Sequence, residues 1–242
     1  MLERIAALVC PQREKLVVEI GPGRGALTEK LLDRADRVVA VELDAALVEH
    51  LRRKFADEPR FEIVHGDVLE TDLTQWGRAP VAGNLPYYIT SPILERVAAI
   101  DIPRAVFLIQ KEVAQRLVAQ PGARDYGFLT VRTALFADVR LRFEVKPAAF
   151  FPPPKVDSAV VTLEPRQRDL GVSDPAAFLE FVGLCFRHKR KSLRNNLVEV
   201  YGKERIDVWP EARLRAEQIS LEGFAEMWRR VAPAVLPPVR PV

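Results

Sequence analysis

Val17 to Leu27 reads V-V-E-I-G-P-G-R-G-A-L. A short apolar run, Leu16 to Ile20, stops at three glycines two apart, Gly21, Gly23 and Gly25, and the helical pattern Ala26, Leu27, Leu31, Leu32 follows. The spacing predicts strand, tight turn, helix. Alternate glycines let the backbone turn sharply and approach a ligand with no β-carbon in the way, and the helix N-terminus beyond offers unpaired N–H groups. A small polar ligand is expected at this turn.

Working outward, Leu2, Ile5, Ala6 and Val9 recur at helical spacing ahead of Pro11, so an amphipathic helix precedes the first strand. Downstream, strands are predicted at Arg37–Glu42, Phe61–His65, Val81–Gly83, Ala105–Gln110, Val139–Val145 and Ser158–Leu163. Helices are predicted at Ala45–Phe55, Thr90–Ala99, Lys111–Val118 and Gly127–Ala137. Strands alternating with helices at this interval imply βαβ units and a parallel sheet, an α/β architecture of seven strands. Between the last two strands, Pro147 and Pro152 to Pro154 forbid helix and predict a stiff extended loop. Near Glu164 to Ser173 the composition turns polar, which marks a domain boundary. Beyond it Pro175–Phe186, Ser192–Val200 and Ser220–Ala232 are helical in period. The expected organisation is an α/β domain over 1–166 and a small all-α domain over 167–242, with a loose proline-rich tail from Pro233.

The 242 residues, 48% of them hydrophobic, suffice for one large core and one small one. Cys10 and Cys185 lie far apart and match no metal-ligand or disulfide spacing. Buried thiols in a reducing compartment are expected, and no metal site. No stretch approaches the roughly 18 apolar residues of a membrane span, and the start is not signal-like, so a cytoplasmic monomer away from membranes is expected. The net charge of +3 lies wholly in the last third, where 13 Lys/Arg face 10 Asp/Glu from Gln167 onward. Arg187, Lys189, Arg190, Lys191 and Arg194 fall within eight residues free of acids. Such a run serves equally as a solvated surface or as a grip on a phosphate backbone.

Open α/β sheets bind ligands outside the carboxyl ends of their strands. Four groups fall at such ends: the glycine loop, Glu42, Asp67 and Asn84. A carboxylate closing the second strand accepts hydrogen bonds from ribose hydroxyls, and an acid after the third can bind an adenine amino group. Together they describe a pocket for an adenosine-containing cofactor. With Ala26 the loop also satisfies G-x-G-x-x-G/A, so a nicotinamide oxidoreductase is an open alternative. Asn84, Leu85, Pro86 and Tyr87 favour another chemistry. The Asn84 side-chain oxygen and the Leu85 carbonyl, held by Pro86, can both accept hydrogen bonds from a substrate NH2 group. They would turn its lone pair toward an electrophilic methyl, so orientation rather than a strong base does the work. Tyr87 is placed to stack on the base.

The stretches V-E-I-G-P-G-R-G-A-L-T, V-E-L-D, G-D-V-L, G-N-L-P-Y-Y-I-T-S-P, Q-K-E-V-A-Q-R-L, A-F-F-P-P-P-K-V-D-S-A-V and F-R-H-K-R-K-S-L-R-N-N-L cover nearly the whole chain. They resemble the ribosomal RNA adenine N6,N6-dimethyltransferases, specifically the bacterial small-subunit enzymes. The resemblance implies a seven-stranded, Rossmann-like class I S-adenosyl-L-methionine methyltransferase domain with a C-terminal helical RNA-binding domain. It implies that Gly21, Gly23 and Gly25, with Glu19, hold the methionine part of the cofactor. Glu42 and Leu43 would bind the ribose side, with Asp67 and Val68 at the adenine and Asn84 bordering both cofactor and substrate. Asn84 to Tyr87 would receive the target adenine, and Phe150 would stack on its other face, with Phe151 as the neighbouring candidate. The implied substrate is two adjacent adenosines near the 3′ end of 16S rRNA, unstacked for catalysis, and the basic run would grip rRNA with Lys111, Arg116 and Lys155. An assembly factor acting by binding alone, and a large-subunit rRNA methyltransferase, are the alternatives. Members of the family usually carry a basic segment and a G-Q-x-F-L motif ahead of the first helix. Met1 opens on that helix, so either a truncated chain or a missing lid over the cofactor is expected, with weaker cofactor and RNA binding if the lid is missing.

Overall fold

The computed structural model describes residues 1–166 and 169–232. The expected loose tail from Pro233 lies outside the described residues, as do the two positions next to the predicted 166/167 boundary. The chain falls into two compact units. One comprises Met1–Val118 and Phe136–Arg166; the other joins Ala119–Leu135 to the chain from Gln167 onward.

The first unit is built on seven strands: β1 (Val17–Ile20), β2 (Val38–Glu42), β3 (Phe61–His65), β4 (Val81–Asn84), β5 (Ala105–Gln110), β6 (Ala137–Val145) and β7 (Ser158–Pro165). Their order is β3-β2-β1-β4-β5-β7-β6, with β1 to β5 parallel and β7 antiparallel to both neighbours. Every residue of β1 and β2 is buried. That explains why their residues are apolar apart from Glu19 and Glu42, since a parallel strand covered on both faces has no polar side to alternate with. Edge strand β6 instead alternates exposed positions with half-buried ones between its buried ends, Ala137 and Val145. It begins at Ala137, two residues ahead of expectation, because Ala137 already pairs with Pro165.

Helices α1 (Leu2–Val9), α2 (Ala26–Leu32), α3 (Ala45–Lys54), α4 (Thr90–Ala98) and α5 (Lys111–Leu117) complete this unit. Ile5, Ala6 and Val9 of α1 and Leu27, Leu31 and Leu32 of α2 are buried in one apolar cluster with Val17, Val38, Val106 and Val160. Asp44 caps α3, its carboxylate accepting from Ala46 N at 2.7 Å and Leu47 N at 3.2 Å.

The second unit holds α6 (Phe128–Phe136, whose last residue belongs to the first unit), α7 (Pro175–Phe186), α8 (Leu193–Tyr201), α9 (Lys203–Ile206) and α10 (Leu221–Val231). Asp174, Ser192 and Ser220 cap α7, α8 and α10 through side-chain bonds to backbone N–H groups. Phe178, Phe181, Phe224, Trp209 and Trp228 dominate its core. The boundary drawn from composition left Ala119–Leu135 in the first domain; the structure corrects that. Tyr126 and Val131 are buried in the helical core, Tyr126 Oη donates to the Ile219 carbonyl at 2.8 Å, and Gly122 N to that of Glu217 at 2.7 Å. Burial of an aromatic ring outweighed sequence continuity. Both cysteines are free and buried, and among the described residues no helix is long and apolar enough to cross a membrane.

Candidate active site

The sheet order reverses between β1 and β4: the chain runs outward to β3, then returns to the other side of β1. Such a switch point opens a crevice beyond the strand ends. Two glycines make it passable. A β-carbon on Gly83 would lie 2.6 Å from the Ile20 carbonyl oxygen, so only glycine lets β4 approach β1 this closely. Gly25, at φ +81°, starts α2 in the left-handed region, and a β-carbon there would sit 2.8 Å from the Phe55 ring. Gly21 and Gly23 also have positive φ, and a β-carbon on Gly23 would meet nothing within 4 Å, so the loop faces open space.

Two carboxylates hold this loop. Glu42, buried at the end of β2, accepts from Gly23 N at 3.2 Å through one oxygen and from Leu43 N at 2.9 Å and Asp44 N at 3.0 Å through the other. Glu19, 1% exposed at the end of β1, accepts the Thr28 hydroxyl at 2.6 Å. Burial pushes the Glu19 carboxyl from 4.5 up to about 7; the Thr28 hydrogen bond opposes the rise and the nearby Glu42 charge adds to it. Thr28, fully buried on α2, was not singled out by sequence reading, although it ends the G-A-L-T run that opens the helix.

Beyond β3, Asp67 accepts from Leu69 N at 2.8 Å and forms a turn with Thr71, and Val68 is buried. Leu43 is exposed. At the end of β4, Leu85 is buried and its N–H reaches the Leu108 carbonyl at 3.1 Å. This anchor leaves the exposed Asn84 at the strand tip. Among the described residues, neither the Asn84 side chain nor the Leu85 carbonyl is engaged by a hydrogen bond of the fold. Pro86 accepts Ile89 N at 3.2 Å and the Thr90 hydroxyl at 2.9 Å, turning the chain into α4. Tyr87, 37% exposed, is pinned by its hydroxyl, 3.1 Å from Ser158 Oγ at the start of β7. Ser158 was likewise missed by sequence reading. The structure thus gathers the glycine loop, Glu19, Glu42 and Asn84 to Tyr87 around one sheet end.

The proline loop behaves differently. Phe150 packs, partly buried, against the apolar cluster of α1 and α2, while Phe151 is fully exposed. Lys111 is paired with Glu144 at 2.8 Å and Lys146 with Asp157 at 2.6 Å; Lys155 is exposed.

In the helical unit, Arg187 to Lys191 form the exposed link between α7 and α8. Arg187 lies 3.6 Å from Glu199, Lys189 Nζ donates to the Arg124 carbonyl at 3.0 Å, and Arg194 pairs with Asp207 at 2.6 Å. Arg190 and Lys191 are exposed and form no ion pair among the described residues.

A seven-stranded sheet in this order, with β7 reversed and a glycine loop facing an acidic strand end at the switch point, defines a Rossmann-like methyltransferase fold. The sequence profile of the ribosomal RNA adenine dimethylase family matches residues 1–227. The chain is 44% identical over 229 residues to the ribosomal RNA small subunit methyltransferase A of Acidobacterium capsulatum, covering 89% of this chain and 81% of that one. Among solved structures it resembles the 23S rRNA methyltransferase ErmE, at 30% identity and TM-score 0.69 over 93% of this chain and 95% of that one. A dimethyladenosine transferase from Plasmodium falciparum shares the fold at TM-score 0.79 and 23% identity, covering 94% of each chain. The chain belongs to the ribosomal RNA adenine dimethylase family, and it is a methyltransferase. The nicotinamide alternative raised by the glycine spacing falls away.

Proposed function

We propose that this enzyme transfers methyl groups from S-adenosyl-L-methionine to the N6 atoms of two adjacent adenosines near the 3′ end of 16S rRNA in the small ribosomal subunit. The observation that carries this reading is the pairing at the tip of β4: an exposed Asn84 side chain and the Leu85 carbonyl, both unclaimed by the fold among the described residues, on the strand next to β1 and its glycine loop.

The residues fit the cofactor. The loop faces open space at Gly23, and Glu42 keeps capacity beyond its three backbone donors, since a carboxylate offers about four acceptor sites. Gly21 to Gly25 and Glu19 would border its methionine part, Glu42 and Leu43 its ribose, and Asp67 and Val68 its adenine. When bound, the cofactor supplies an electrophilic methyl on a sulfonium.

The remaining work is orientation. In the first transfer Asn84 Oδ1 and the Leu85 carbonyl accept hydrogen bonds from the two N–H groups of the target amine, drawing its nitrogen out of conjugation with the ring and orienting its lone pair; in the second, the one remaining N–H keeps one of these acceptors. Neither acceptor takes up a proton before transfer; the nitrogen gives up one proton to solvent after the methyl is attached, and alignment supplies the rate enhancement. Tyr87, its hydroxyl held by Ser158, offers a fixed face for the flipped base, and Phe150 is assigned to the opposite face. Arg190 and Lys191 are the cations freest to meet rRNA phosphates, while Arg187, Lys189 and Arg194 begin from contacts within the helical unit.

The test is transfer of labelled methyl from S-adenosyl-L-methionine to small ribosomal subunits lacking the modification, with Asn84→Ala beside the unaltered chain. Transfer by the parent that is lost in the variant supports the reading. Cofactor binding without transfer by either favours an assembly role by binding alone, and transfer to large-subunit rRNA instead would move the substrate.

A further inference from the structure

Two aromatic rings stand in water at the same sheet end, and the chemistry above employs neither. Phe151 is 101% exposed and Tyr88 79% exposed. Tyr88 follows Tyr87, whose hydroxyl reaches Ser158, and Ser158 closes the proline loop that carries Phe151 while pairing with Gln110 at the end of β5. Both rings therefore sit on segments that meet at the end of the sheet where Asn84 lies.

A fully hydrated phenylalanine contributes nothing to the core, and with Tyr88 exposed at the same sheet end it offers a second ring face free for a partner. Pro152 to Pro154 restrict the backbone beside it, which lowers the entropy lost when the ring is fixed. Four residues on, Lys155 is exposed and forms no ion pair among the described residues, although Lys111 and Lys146 nearby are neutralised by Glu144 and Asp157. Exposed rings on segments that also carry an unneutralised ammonium suit a single strand of nucleic acid, whose bases stack and whose phosphates attract cations.

We infer that Phe151 and Tyr88 form a stacking platform for the nucleotide next to the target adenosine, with Lys155 on the adjoining phosphate. This rests on the rRNA-methylation reading of the same site and adds the recognition of a neighbouring base. It leaves the target base to Tyr87 and Phe150.

The experiment measures KM and kcat on small ribosomal subunits lacking the modification, for the parent chain and for Phe151→Ala, Phe151→Tyr, Phe151→Leu, Tyr88→Ala and Lys155→Ala. All three positions are at the surface, and equal thermal unfolding would verify that each of the five variants folds. Stacking predicts that Phe151→Ala raises KM about fivefold or more with kcat within about twofold, and that Tyr88→Ala acts in the same direction. Phe151→Tyr should restore the parent KM and Phe151→Leu should not, because leucine keeps apolar area but has no ring face. Lys155→Ala should lower the salt dependence of binding by about one phosphate contact. A parent-like KM in Phe151→Ala overturns the inference. So does rescue by Phe151→Leu, which would signify an apolar protein contact on the subunit. Absence of transfer by the parent chain would instead overturn the methylation reading itself.

Discussion

Replacing Glu19 by glutamine removes one titrating proton from beneath the glycine loop while keeping size and an acceptor for Thr28. Burial pushes the Glu19 carboxyl from 4.5 to about 7, with the Thr28 hydrogen bond too weak to offset it. The folded value lies above the unfolded one, so folding favours the neutral acid. The associated stability is fully present below about pH 4.5 and is lost as pH rises through about 7. At about 1.36 kcal/mol per pH unit, the loss amounts to about 3 kcal/mol. Glutamine does not ionise and escapes it. Urea unfolding of both proteins between about pH 4.5 and pH 8 should show Glu19→Gln gaining on the parent by about 3 kcal/mol across that interval, with groups common to both cancelling in the difference. A difference independent of pH, or one that shrinks as pH rises, would refute the assignment of a buried, largely neutral carboxyl.

Other changes probe the surroundings of the site. Gly83→Ala places a β-carbon 2.6 Å from the Ile20 carbonyl oxygen, forcing β1 and β4 apart at a cost of about 1–3 kcal/mol, readable as a lowered Tm. Glu42→Ala frees the Gly23, Leu43 and Asp44 N–H groups; cofactor affinity by calorimetry should fall about 10- to 100-fold, as expected for lost hydrogen bonds to a charged group. Arg190→Ala and Lys191→Ala should leave stability unchanged while each reduces the salt slope of subunit binding by about one. Arg194→Ala should also lower thermal stability, because its guanidinium pairs with Asp207.

The elements that the sequence announces are those whose signal is local. The run into Gly21, Gly23 and Gly25, the acid closing β2 and the Asn84-Leu85-Pro86-Tyr87 turn each sit where apolar periodicity stops, so their place at strand ends follows from spacing alone. What escaped detection depends on contacts between distant segments. Nothing near Tyr126 indicates that its ring is buried among helices that begin some fifty residues later. Thr28 reads as an ordinary helix residue until Glu19 is seen 2.6 Å away, and Ser158 as a strand start until the Tyr87 hydroxyl reaches it. Phe150 and Phe151 are adjacent and chemically identical; only the packing of α1 and α2 separates a partly buried ring from one in water. The basic run shows the same limit, since its five charges look equivalent in sequence yet three are engaged within the unit.

The most direct measurement is mass spectrometry of nuclease-digested small-subunit RNA after incubation with S-adenosyl-L-methionine and either the parent chain or Asn84→Ala. The account predicts N6,N6-dimethyladenosine at two consecutive positions near the 3′ end with the parent, and single-turnover transfer slower by about 100-fold or more with Asn84→Ala. Dimethylation that proceeds equally well without the Asn84 side chain, or methyl groups on any atom other than adenine N6, would contradict it.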